Sequence, residues 1–210
     1  LSKVLHPVAG IPMVGHVARA ARAAGIDSLV LVVGHGREQV MEAMASDGVQ
    51  FVVQEQQLGT GHALLQAEEA VGGSEIILVL CGDTPLLRAE TLEKLINYHQ
   101  ENQAAATVLT AQLECPEGYG RIIRDQLGDI VRIVEEKDAS PQEKEIREIN
   151  SGIYCFDKEV FQTLKGITPE NAQGEYYLTD ALVEYRKRGC RVLALPAALK
   201  EDIYGINDRS

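Results

Sequence analysis

The carboxylate of Asp83 stands directly after Cys81-Gly82 and the unbroken apolar run Ile76 to Leu80. Five apolar residues without alternation are the pattern of a strand buried on both faces. A Thr84-Pro85 turn follows, then helical spacing from Ala89 to Gln100. Asp83 is therefore expected just past the carboxyl end of a strand, where open α/β sheets bind ligands. Gly82 allows a backbone or a ligand to come close, and the Asp83 oxygens are hard donors suited to Mg2+. The same carboxylate could instead satisfy the amides of its own loop.

The elements that must position Asp83 follow from periodicity. From Pro12 to Ala24 the apolar residues keep helical spacing, and Gly25 ends the helix. Strand patterns at Ser28 to Val33, Val49 to Val53 and Ile76 to Leu80 alternate with helices through Ala45, to about Val71, and from Ala89. The order βαβαβα predicts an α/β chain with a doubly wound, mostly parallel sheet. The chain opens on a helix, yet the βαβ unit needs a strand ahead of it, so one strand is missing from the pattern. After Gln100 the texture changes. A strand over Ala104 to Leu113, a hairpin around Gly128-Asp129, a strand over Ile149 to Phe156, helices over Lys158 to Leu164 and Leu178 to Arg188, and a strand at Arg191 to Leu195 predict a smaller mixed lobe. The expected division is a single domain, 1–210, with a first lobe over 1–103, a second over 104–200, and a return segment over 201–210.

Composition narrows the partners. A net charge of -11 leaves no basic stripe to neutralise phosphates, which argues against a nucleic-acid surface. No apolar run approaches a membrane span. Cys81, Cys115, Cys155 and Cys190 are scattered without CxxC pairing and read as reduced core thiols of a cytoplasmic protein. The first residues carry no cleavage pattern of a secretory signal.

Eight stretches occur in order: LSKVLHPVAG (1–10), QEQQLGTGHA (54–63), LCGDTPLL (80–87), GYGRI (118–122), IVEEKDA (133–139), EINSGIY (148–154), NAQGEYYLTD (171–180) and YGINDR (204–209). Together they resemble the uridyltransferase domain of the bacterial bifunctional N-acetylglucosamine-1-phosphate uridyltransferases, over essentially the whole chain. The resemblance implies a Rossmann-like nucleotide-diphospho-sugar transferase fold, whose second lobe binds the sugar. It implies a reaction in which UTP and N-acetylglucosamine 1-phosphate give UDP-N-acetylglucosamine and pyrophosphate, supplying cell-wall precursors. The attacking phosphate oxygen is already ionised at neutral pH, so positioning and charge neutralisation suffice without a general base.

The resemblance also implies roles. Lys3 falls where the family's lysine meets the phosphates, as a point charge able to follow moving oxygens. Gln54 matches the uracil reader, with Gly59 and Thr60 placing backbone groups near the base; Thr60 would otherwise be a plain helix cap. Asp83 and Asn207 match the Mg2+ ligands, and Cys81 and Gly82 share the substrate-binding loop. Gly120, Glu135 and Asn150 fall at the sugar positions. His62 is expected to be structural, packed at its helix start, and Thr179 to cap the last long helix.

The departure from the family lies at the front. The family opens with a strand and a glycine-rich loop that cradles the triphosphate, and neither appears here. Little turnover is therefore expected, along with two apolar sheet edges and a chain trimmed from a longer protein. The left-handed β-helix that carries the family's acetyltransferase and builds its homotrimer is also missing, so no acetyltransferase activity is expected. Two other readings stay open: a related nucleotidyltransferase of different specificity, or a non-catalytic regulatory module that keeps the fold.

Overall fold

The computed structural model of the chain describes residues 1–205. A 3-10 turn (Lys3–Leu5) and a two-residue hairpin, β1 (Pro7–Val8) and β2 (Ile11–Pro12), lead into α1 (Met13–Ala23). β3 (Val30–Val33), α2 (Arg37–Ala43), β4 (Gln50–Val53), α3 (Thr60–Gln66), α4 (Glu68–Val71), β5 (Ile76–Val79) and α5 (Ala89–Glu101) complete the first half. The second half runs through β6 (Ala106–Gln112), β7 (Arg121–Arg124), β8 (Ile130–Val134), α6 (Pro141–Lys144), β9 (Glu148–Asp157), α7 (Val160–Lys165), α8 (Asp180–Lys187) and β10 (Val192–Pro196). A 3-10 turn (Lys200–Ile203) follows.

The helices form where the apolar spacing places them. α1 buries Met13, Val14, Val17, Ala18 and Ala21 on one face. It ends at Gly25, whose φ of +81° favours a residue without a Cβ. There the Gly25 N–H donates to Arg22 and the Ile26 N–H to Ala21, so two of the helix's last carbonyls are satisfied. The helix expected to reach Val71 divides at Ala67 into α3 and α4. The β1–β2 hairpin has no alternating pattern to announce it; Ala9 and Gly10, both at positive φ, make its turn.

β3 and β4 pair in parallel. The larger sheet runs β10-β6-β9-β7-β8, with β5 also joined to β9. β10 lies parallel to β6, and β9 runs antiparallel to β5, β6 and β7. The carboxyl half of β9 sits between β5 and β6, while its amino end reaches β7 through Ile149. Between these halves the register shifts: Val108 opposes Tyr154 and Thr110 opposes Asn150, so Ser151, Gly152 and Ile153 together face Leu109 alone. Gly152 takes a φ of +77°, and the Ser151 hydroxyl donates to the Leu109 carbonyl while accepting from the Ile153 N–H. This bulge bends the strand and keeps its polar groups bonded.

Among the described residues no strand of either main sheet precedes α1. The edges of β3 and β5 that are not paired to β4 and β9 line a cavity of about 1090 Å3, walled by Val14, Val17 and Ala18 of α1 and Ala63 and Leu64 of α3. The gap coincides with the strand that the βαβ pattern lacks. Three apolar clusters pack the molecule. One joins Leu64 and Ile77 to Phe156, Phe161 and Tyr185. A second joins Val17 and Leu92 to Leu109, Ile149 and Ile203. A third holds β3 and α2 onto α1 through Val33, Val40 and Met44. The cysteines correct one expectation: Cys155 is a core thiol, but Cys115 lies exposed in the loop after β6, and Cys81 and Cys190 are half-buried. Among the described residues no helix is long and apolar enough to cross a membrane.

Candidate active site

β5 delivers Cys81, Gly82 and Asp83 from its carboxyl end, followed by a turn in which the Thr84 hydroxyl donates to the Cys81 carbonyl. The Asp83 carboxylate accepts from the Lys3 ammonium at 2.5 Å, so residues eighty positions apart share one centre. The Lys3–Leu5 turn lies against this loop: a Cβ on Gly82 would stand 3.3 Å from Val4 and 3.7 Å from Val14. Cys81 packs on the β9 bulge, where a Cβ on Gly152 would come within 2.6 Å of its sulfur, so Gly152 is required by contact as well as by φ. Burial, reinforced by the Asp83 charge, pushes the Cys81 thiol up to about 11, which keeps it protonated and unreactive at neutral pH.

The three positions expected at the sugar are brought together. A Cβ on Gly120 would stand 3.3 Å from a Glu135 carboxylate oxygen and 3.4 Å from the Asn150 Cβ, and the Asn150 N–H donates to the Gly120 carbonyl. The Asn150 side-chain oxygen accepts from the Tyr154 hydroxyl at 2.9 Å and from the Gly152 N–H at 3.0 Å. Its NH2 is then the part left to donate. Burial raises the Glu135 pKa; the Thr179 hydroxyl opposes the shift, and the nearby charges of Asp138 and Asp180 add to it. Gly120, Glu135, Asn150, Cys81 and Gly82 line the same cavity as the β3 and β5 edges.

Gln54 follows β4 directly and is buried, and its amide nitrogen donates to the Gly59 carbonyl at 3.1 Å. Gly59 is glycine for a reason other than approach of a base. Its φ is +111°, and a Cβ there would meet the Tyr176 backbone at 2.6 Å. Thr60 is not the cap of α3, since Gly59 holds that position. The Thr60 hydroxyl instead accepts from the Leu178 N–H and ties this loop to the segment over 171–180. Thr179 precedes α8 but does not cap it, because its hydroxyl is turned inward beside Glu135.

Asn207 lies outside the described residues. The return segment is placed as far as Gly205, where a Cβ would stand 3.6 Å from the Asp83 carboxylate. A buried clamp not anticipated from the sequence holds it. Asp202, only 1% exposed, accepts from Arg88 at 2.7 and 2.9 Å and from the Thr91 hydroxyl. Arg88 and Thr91 are hydrophilic residues at a helix start, with no local signal of a partner 111 to 114 residues away. Among the described residues there is no cluster of three or more His, Cys, Asp or Glu able to hold a metal ion. A lone carboxylate beside a lysine fits Mg2+ only where phosphates and water complete the shell, which is its usual habit.

A carboxylate and a lysine meet at a strand's carboxyl end on a Rossmann-like sheet, next to Cys81 and Gly82, which line one cavity with the Gly120–Glu135–Asn150 cluster. The chain belongs to the nucleotidyl transferase family, which it matches over residues 1–203. It is similar to the bifunctional protein GlmU of Syntrophomonas wolfei (53% identical over 210 residues, all of this chain and 47% of that one). It is also similar to the GlmU of Halalkalibacterium halodurans (52% over 211 residues, 46% of that protein). The chain thus spans about half the length of these curated relatives. Among solved structures, a putative glucose-1-phosphate thymidylyltransferase from Bacillus anthracis, in complex with a sucrose, superposes with a TM-score of 0.76 at 26% identity. That match covers 93% of this chain and 78% of that one. A UDP-glucose pyrophosphorylase complexed with UDP-glucose shares the fold, with a TM-score of 0.73 at 21% identity over 94% and 82% of the two chains.

Proposed function

We propose that this chain is a uridyltransferase of the GlmU type, joining UTP and N-acetylglucosamine 1-phosphate into UDP-N-acetylglucosamine and pyrophosphate for cytoplasmic synthesis of cell-wall precursors. The observation that carries the reading is the convergence of Lys3 and Asp83 at the end of β5, beside the Gly120–Glu135–Asn150 cluster. About 50% identity to GlmU proteins along the whole chain supports the choice of nucleotide and sugar.

In this reading Gln54 and Gly59 hold the uracil, and Lys3 neutralises phosphate oxygens. The Glu135 carboxylate accepts from sugar hydroxyls while the Asn150 NH2 donates to the sugar. The sugar phosphate, held in line, forms a new O–P bond at the α-phosphorus of UTP as the bond to pyrophosphate breaks. Asp83, together with Asn207, would hold Mg2+, which when bound supplies charge neutralisation for the phosphates.

The test is Mg2+-dependent release of pyrophosphate from UTP and N-acetylglucosamine 1-phosphate, with dTTP and glucose 1-phosphate as competing substrates. Equilibrium binding of UDP-N-acetylglucosamine is measured alongside. Asp83→Ala should abolish the Mg2+-dependent part of binding and lower turnover by about 10²–10³-fold. Preference for dTTP or glucose 1-phosphate would move the chain to another specificity, and absence of nucleotide binding would refute the reading.

A further inference from the structure

Arg121 opens β7 with only 1% of its side chain exposed, directly after Gly120. Its Nη2 pairs with a Glu136 carboxylate oxygen at 2.8 Å, and its Nη1 donates to the Tyr119 carbonyl. The same Glu136 oxygen accepts from the Gly118 N–H at 3.3 Å, while the other stands 3.5 Å from the Lys144 ammonium. One charge pair thus grips the chain around Gly120 and the residue that follows Glu135.

The register shows why the pair can act on the Gly120–Glu135–Asn150 cluster. β7 and β8 pair with Arg121 opposite Val134, and the printed ladder ends there, one residue short of Gly120 and Glu135. Continuing one step outward sets Gly120 opposite Glu135, in keeping with the 3.3 Å from a Gly120 Cβ to the Glu135 carboxylate. Consecutive residues of extended chain face opposite sides. Gly120 and Glu135 therefore share the cavity side, and Arg121 and Glu136 meet on the reverse, as diagonal neighbours within reach of long side chains.

Stability gives little reason for a charge pair here. A buried ion pair is often no better than apolar residues of similar volume. Arg121 Nε is also buried with no hydrogen-bond partner among the described residues, a further cost. What the pair supplies is direction. The planar guanidinium donates along fixed lines to the Tyr119 carbonyl and to Glu136 at once, a geometry that a lysine ammonium does not offer.

We propose that Arg121, acting through Glu136, is a positioning residue for a sugar subsite: the pair braces the ends of β7 and β8 from behind and holds Gly120 and Glu135 toward the ligand. The inference rests on the uridyltransferase reading above, in which the Gly120–Glu135–Asn150 cluster takes the sugar.

The test compares equilibrium binding of UDP-N-acetylglucosamine and of UDP, with Mg2+ present, to the 210-residue chain and its variants. Arg121→Met combined with Glu136→Leu removes both charges together, so no buried charge is left unpaired and the thermal midpoint should stay near wild type. UDP-N-acetylglucosamine should bind about tenfold more weakly, the worth of one charge-assisted hydrogen bond, while UDP affinity changes less than about twofold. An unchanged ratio of the two affinities overturns the proposal, because a merely structural pair would not move it. Glu136→Gln, which keeps an acceptor for Arg121, should retain most of the preference, and Glu136→Ala should lose it. If the double variant does not fold, equal ratios in these two overturn the proposal instead. A wild-type chain that binds UDP as tightly as UDP-N-acetylglucosamine, or binds neither, refutes the sugar subsite itself, and the positioning role falls with it.

Discussion

Glu135 shows how a single residue of the candidate site carries a cost in stability. Burial foremost raises its pKa, so the folded state binds the proton more readily than the unfolded chain. Its stabilising contribution is complete below the unfolded carboxyl range and is lost as pH rises through the folded value. At neutral pH the ionised carboxylate is a cost. Glu135→Gln should therefore raise the thermal midpoint at pH 7 by roughly 2–4 °C for each kcal/mol recovered, with a smaller gain near pH 4, while weakening sugar-ligand binding. Unfolding scans at the two pH values check this, and equal shifts at both would refute the assigned cause. Individual residues were also where the sequence was least informative. The family resemblance pointed to Gln54 and Asn150, but their hydrogen-bond partners, the Gly59 carbonyl and the Tyr154 hydroxyl, are not encoded in local patterns.

At the scale of elements, the Arg88–Asp202 pair is a long-range tether of the candidate site, joining residues 114 positions apart. It closes the Lys200–Ile203 turn onto the start of α5 and so directs Gly205 toward Asp83. Arg88→Ala would leave Asp202 buried with the Thr91 hydroxyl and no cation, which should destabilise the fold. Denaturant titration should register this as a lowered midpoint, whereas an unchanged midpoint would mean that water reaches Asp202. Continuous apolar runs such as Val30–Val33 and Ile76–Val79 made their strands legible, because burial on both faces leaves no other composition. The bulge in β9 was not legible. Its cause is the contact of Gly152 with Cys81 and the Ser151 bond to Leu109, both set by residues distant in sequence.

Across the whole molecule, stability should be uneven. Among the described residues β3 and β4 pair only with each other and hold to α1 through the Val33–Val40–Met44 cluster, whereas β9 is bonded on both sides. Native-state hydrogen exchange should accordingly find the amides of β3 and β4 opening at lower free energy than those of β6 and the carboxyl half of β9. Uniform protection would contradict the view that the cavity between β3 and β5 divides the sheet. The alternation of strands and helices made this division visible beforehand, as a strand lacking ahead of α1.

β9 also acts as a ruler. Asn150 at the sugar cluster and Tyr154 opposite β5 stand on the same strand, on either side of the Gly152 bulge. Extended chain advances about 3.4 Å per residue and reverses its facing at each step. Adding or removing one residue at the bulge would therefore move the Gly120–Glu135–Asn150 cluster relative to β5 by about 3.4 Å, one residue of extended chain, and turn its side chains away. The spacing of the two subsites is thus metered in whole residues, which makes the length of the bound molecule a quantity the backbone counts.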